Sequence, residues 1–204
     1  MLERARTRLR AVVRLMASAG ISADSVTITC CALGAFAGAL VARGQFAAAA
    51  LAMGVASVGD ALGGDLARRQ GTACVRGAIL DATVDRYEEF FFLAGLAFFF
   101  RADPVVLALV LLAIIGSFMV SYGSAKAEGY GIAVPGGMRR AERASCLVFG
   151  TALVPLAELL ADRNLTPHWS RHIPVIVAIG LIGGVGNISA IVRLRAIGRA
   201  ASRL

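Results

Sequence analysis

Cysteine is scarce in this 204-residue chain and is placed without a pattern. Cys30, Cys31, Cys74 and Cys146 make no C-x-x-C pair, and the first two are adjacent within an apolar run. That excludes a disulfide framework and a zinc site, and leaves the cysteines as small buried hydrophobes. Lysine is nearly missing: Lys126 is the only one, and the other cationic side chains are Arg. The two histidines, His168 and His172, lie four apart around the single Trp169. With Pro and Arg beside them and no acidic helix nearby, they do not read as a metal pair, and Trp169 reads as an interfacial anchor. Charge is low at 17% of residues, and no internal repeat, low-complexity tract or inverted-topology signature stands out.

Apolar residues are abundant instead. They make up 58% of the chain, and the mean hydropathy is +0.74, which is too apolar for an ordinary soluble domain. The net charge of +8 in such a chain points to membrane topology and anionic headgroups, with no nucleic-acid partner implied. Residues 1–18 interleave Arg4, Arg6, Arg8, Arg10 and Arg14 with Leu, Val and Met, the pattern of an interfacial amphipathic helix. A break at residues 20–24 follows, which argues against a signal peptide. Asp24 or Ser22 can cap the next helix. Six apolar spans are expected: Val26–Ala42, Phe46–Leu66, Gly77–Phe100, Pro104–Glu128, Arg139–Leu160 and Ile173–Val192. The fold class is therefore an all-α integral membrane protein. A cytosolic juxtamembrane helix (1–18) precedes a six-helix transmembrane domain (19–204). Sixteen Lys/Arg fall on the side of the termini and four on the other, which places both termini in the cytoplasm.

The chemistry concentrates between Asp60 and Asp85. Asp60, Gly64 and Ala67 share one helical face, and Gly77, Asp81 and Asp85 make a second stripe, four apart. Carboxylates inside a membrane helix are costly, and they ordinarily face a polar cavity or an ion. Two such faces opposed would form an oxygen-lined site for a hard divalent cation. At the same level lie Ser121 and Lys126, Arg139, Arg140 and Arg143, and Arg193 and Arg195. The positive-inside rule accounts for many of these cations, and a pocket for an anionic substrate accounts for them equally.

The spacing resembles that of the CDP-alcohol phosphatidyltransferase family, whose pattern is D-x-x-D-G-x-x-A-R followed by G-x-x-x-D-x-x-x-D. Here it reads Asp60, Gly63, Gly64, Ala67, Arg68, then eight residues, then Gly77, Asp81, Asp85, so seven of the eight fixed positions match. The resemblance implies transfer of a phosphatidyl group from CDP-diacylglycerol to the hydroxyl of a polar alcohol, with CMP released. It implies Mg²⁺ or Mn²⁺ held by Asp60, Asp81 and Asp85, with Asp85 also the general base. It assigns the nucleotide to Asp60, Gly64, Ala67, Arg68, Gly77 and Asp81. A phosphorylated acceptor, such as glycerol phosphate or inositol phosphate, falls to Ser121, Lys126, Arg140 and Arg193. Membrane lipids and a homodimer are the further partners it implies.

One position departs from the pattern. Gly63 stands where the family has its second Asp, a residue that helps hold two metal ions. Asp65 lies about 140° round the helix from Asp60 and does not obviously replace it. Water, a substrate phosphate or a shifted Asp65 can fill the gap, or the second metal is lost. A relative that binds CDP-lipid or a partner without turnover is thus the rival to an active transferase. A small ion-coupled transporter is a third reading, but it does not explain the spacing.

Overall fold

The computed structural model describes residues 11–134, 136–160 and 171–202, and all regular structure among them is helical. Helix α1 covers residues 11–18. It is followed by α2 (Ala23–Ala42), α3 (Phe46–Gln70), α4 (Val75–Phe99), α5 (Pro104–Gly129), α6 (Arg140–Ala152), α7 (Val154–Leu160) and α8 (Ile173–Ala201). The start of the expected 1–18 helix, His168 and Trp169 lie outside the described residues. Helix α1 is closed by Gly20, two residues past its end, whose φ of 71° is the left-handed conformation that stops a helix at low cost. Val13 of α1 is buried against Val26, Cys30, Ala56 and Leu66, so α1 is tied to α2 and α3. Ser22 is the cap of α2, its hydroxyl accepting from Ser25 N at 3.1 Å.

Among the described residues five segments are long and apolar enough to cross a membrane: α2, α3, α5, α6–α7 and α8. The expected third span forms as α4, which has 25 residues and thus a length of about 37 Å. It carries Arg76, Asp81, Asp85, Arg86, Glu88 and Glu89 in its first fifteen residues, which puts it outside that apolar set. The expected fifth span forms as one crossing segment, Arg140–Leu160, but not as one uninterrupted helix. It breaks at Leu153 into α6 and α7. Pro155 supplies no backbone N–H, and its ring crowds the carbonyl four residues back. The last span also outruns expectation, because α8 continues through Arg193, Arg195 and Arg199 to Ala201. The basic tail is largely a helical extension.

Glycine seams bring the helices together. A Cβ on Gly38 would collide with the backbone of α4 at Phe91, and one on Gly95 with the backbone of α2 at Gly38. Likewise a Cβ on Gly116 would reach 2.7 Å from Asn187, and one on Gly183 would reach 3.3 Å from Ala113 N. In lipid, where apolar burial drives little, such close backbone approach is what joins helices. The α2–α4 seam and the α5–α8 seam place the polar ends of α3, α4, α5, α6 and α8 around one region.

Candidate active site

Asp60 projects from α3, Asp85 and Glu88 from α4, and all three are buried. One carboxylate oxygen from each lies within 4.8 Å of the others. Glu88 is only 1% exposed. Its side chain occupies the space a Cβ on Gly34 would need, so the small residue on α2 admits it. Arg140, the first residue of α6, reaches in from the side. Its Nη2 pairs with Asp60, lies 2.7 Å from Asp85, and donates to Glu88 Oε2 at 3.2 Å. Asp60 Oδ1 and Glu88 Oε1 are buried and accept no hydrogen bond, while Asp85 Oδ1 faces the Arg140 guanidinium. Buried carboxylate oxygens left bare are costly. Three hard oxygen donors converging in this way suit a divalent cation, so the residues present fit such an ion.

A cavity of about 410 Å³ opens above this cluster between the ends of α2, α3 and α4. Gly63, Gly64, Ala67, Arg68, Gly77 and Asp81 line it. A Cβ on Gly64 would meet nothing nearer than the Arg68 guanidinium at 3.6 Å. On Gly77 the nearest group is Cys74 Sγ at 3.7 Å. These two glycines therefore do not serve helix packing, unlike Gly38 and Gly95. They leave bare backbone facing the cavity. Arg76 crosses one edge to Asp24 at 3.3 Å.

A second cavity, of about 310 Å³, is lined by Ser121, Ser124, Arg139, Arg140, Arg143 and Arg193, among others. Arg143 is fixed by a two-pronged pair with Glu89, at 2.7 and 2.9 Å, and donates to Met138 O at 2.7 Å. Arg193 is buried and donates to Gly137 O at 2.6 Å, to Val120 O at 3.2 Å and to Ser124. These guanidinium groups are set in place before any ligand arrives, and five-donor planar cations of this kind favour phosphate.

The expected site is thus brought together with three differences. Asp81 lines the upper cavity with Arg68, while Asp60 and Asp85 sit deeper with Glu88. Lys126 is exposed over the Tyr122 ring at 5.7 Å, outside the arginine cavity. Five residues beyond Ser121 it points about 140° away round α5. Asp65 stays on the surface, paired with Arg68 at 2.5 Å, and does not join the cluster. Glu88 and Glu89 are absent from the motif reading. Glu88 continues the Asp81–Asp85 stripe by three residues, which was the available signal.

A family model described as CDP-alcohol phosphatidyltransferase matches residues 21–184. Phosphatidylinositol phosphate synthase of Mycolicibacterium smegmatis is 34% identical over 175 residues, which cover 82% of this chain and 75% of that one. The crystal structure of Mycobacterium tuberculosis phosphatidylinositol phosphate synthase with CDP-DAG bound has a TM-score of 0.78 to this chain. At 25% identity the match covers 93% of this chain and 92% of that one. The same enzyme in complex with manganese and citrate has a TM-score of 0.79 and 25% identity, covering 93% and 88%. The Asp60–Asp85 motif, the helical fold and these similarities agree, and the chain belongs to the CDP-alcohol phosphatidyltransferase family, membrane transferases of phospholipid synthesis.

Proposed function

We propose that this chain transfers the phosphatidyl group of CDP-diacylglycerol to the hydroxyl of a phosphorylated polar alcohol of the inositol phosphate or glycerol phosphate type, releasing CMP. The observation that supports this is the adjacency of three features. A glycine-lined cavity carries the family motif, a carboxylate cluster lies beneath it, and an arginine cavity shares Arg140 with that cluster. Gly64 and Gly77 let the donor's pyrophosphate approach the backbone, with Ala67 keeping that face narrow and Arg68 positioned to pair with phosphate. Asp81 faces the donor, and Asp60 and Asp85 lie beneath it. A bound Mg²⁺ or Mn²⁺ would polarise the phosphate and offset charge on departing CMP. Ser121, Arg140 and Arg193 hold the acceptor's phosphate, with Arg143 beside them, and direct its hydroxyl toward Asp85. Asp85 takes the hydroxyl proton as the oxygen attacks the lipid-bearing phosphorus.

The test is an acceptor screen with purified protein, CDP-diacylglycerol and Mg²⁺ or Mn²⁺ in liposomes, following CMP. Release that depends on a phosphorylated alcohol is expected, with free inositol or glycerol inactive. CDP binding with no release from any acceptor would show the catalytically silent relative, a reading that Gly63 specifically favours.

Gly63→Asp separates these outcomes further. A Cβ there has room, with Val26 Cγ1 at 3.5 Å and Thr27 Oγ1 at 3.8 Å, and it faces the donor cavity. The variant is expected to bind divalent metal more tightly and to release CMP faster. Unchanged metal affinity with slower turnover would reject this and indicate a rebuilt site already complete.

The placement in the membrane is part of the proposal. With α4 as the sixth span and residues 1–18 on the leaflet surface, both termini and the site face the cytoplasm. Cysteine introduced at residue 2 or at residue 165, in a background without the native cysteines, reports the two sides. External reagent is expected to label residue 165 only. External labelling of residue 2 alone would reverse the orientation. The glycine-rich spans are also compatible with a homodimer, which cross-linking in native membranes would detect.

A further inference from the structure

We infer that this chain holds a single divalent cation, bound by Asp60, Asp85 and Glu88, and that Arg140 stands as the permanent second cation of the site. The inference rests on the proposed transferase reading and specifies its metal centre. The family pattern supplies a carboxylate at the position of Gly63. This chain has none there, and it has a buried carboxylate one turn deeper, at Glu88. Glu88 does not refill the same spot. Gly63 faces the upper cavity toward Val26 and Thr27, while Glu88 lies below, next to Gly34. The oxygen donors have moved one turn down α4, away from the cavity mouth.

The division of oxygens sets the occupancy. Asp60 gives Oδ2 and Glu88 gives Oε2 to the Arg140 guanidinium, and each keeps its other oxygen bare. Asp85 in turn faces the guanidinium through Oδ1 at 2.7 Å, so among the described residues the buried oxygens of the cluster left uncovered are Asp60 Oδ1 and Glu88 Oε1. Carboxylates shared in this way bridge a guanidinium on one side and an ion on the other. Three ionised carboxylates offset by one Arg leave the charge complement of one divalent ion, where a second would meet net repulsion from Arg140. Arg cannot be deprotonated in a protein, so this positive charge is present at every working pH. It is also tied to α6 and to the arginine cavity, which links the metal centre directly to the acceptor side.

Mn²⁺ titration of the purified full-length protein in detergent, read by electron paramagnetic resonance, tests the inference. One Mn²⁺ per chain is expected. Glu88→Gln should weaken that binding by more than the roughly tenfold that even an outer partner's loss can cost. Glu88→Asp, which keeps the charge on a shorter arm, should fall between, and it serves if the Gln variant does not fold. Arg140→Gln should take up a second Mn²⁺, and so should Gly63→Asp. Two Mn²⁺ in the native chain, or native-like titration of both Glu88 variants, would overturn the inference while leaving CMP release, assayed in parallel, to stand. A native chain that neither binds Mn²⁺ nor releases CMP would overturn both the inference and the transferase reading.

Discussion

Asp85→Asn is expected to lower CMP release by about 10²–10⁴-fold, the usual contribution of a positioned general base. Asn keeps the shape of Asp but cannot accept the hydroxyl proton. Asp85 is placed for that role by its position between the two cavities. It lies one turn from Asp81, which lines the donor cavity, and 2.7 Å from Arg140, which lines the acceptor cavity. The substitution also removes an oxygen from the proposed ion, so two effects must be separated. If Asp85 acted only as a ligand, raising Mn²⁺ would restore turnover. As a base it would not. CDP binding, measured directly, is expected to survive, since Gly64, Gly77 and Arg68 are untouched. Turnover within tenfold of native, or full rescue by excess Mn²⁺, would remove Asp85 from the base role.

Glu89→Ala is expected to cost about 3–5 kcal/mol, the typical consequence of breaking a buried ion pair by removing one partner. For a chain of this size that corresponds to a melting temperature lower by on the order of 10 °C. Arg143 is 2% exposed, and Glu89 is its only carboxylate partner among the described residues, through two hydrogen bonds of 2.7 and 2.9 Å. Without Glu89 the guanidinium keeps Met138 O and Ser121 but no countercharge. The pair joins α4 to α6, so the loss also loosens Arg139 and Arg140 at the start of α6. Replacing both partners by apolar residues, as in Glu89→Leu with Arg143→Met, should recover much of the stability but not the activity. A Glu89→Ala protein that melts as the native one does would show that water or lipid headgroups already reach this pair.

Much of the architecture was legible because hydrophobic segments must be long enough to bury their backbone in lipid. Helices α2, α3 and α5 start and end within a few residues of the expected bounds. The break at Leu153 was available from Pro155 but was outweighed by the continuous apolar run. The extension of α8 was hidden for the opposite reason, since a charged tail need not leave a helix once it leaves the membrane. In the site, the four-residue spacing puts Gly77 and Asp81 on one cavity wall, with Asp85 one turn further on, because that periodicity is local.

What the sequence alone determined is therefore the class of the protein and its motif: a basic, helical membrane chain with acidic stripes on two adjacent spans. Which carboxylates meet was decided by tertiary structure. Helical spacing puts Glu88 one turn from Asp85, but the close glycine approach of α2 to α4 and the packing of α3 on α2 bring that pair to Asp60. The same holds for Arg140, which lies 80 residues from Asp60 and reaches it because α6 packs across the end of α3. Lys126 shows the converse. It sits near the site in sequence, but the rotation of α5 turns it outward. Helical periodicity is written in local residue order, whereas the depth, rotation and crossing of helices follow from how their surfaces fit, and no short stretch of sequence contains that fit.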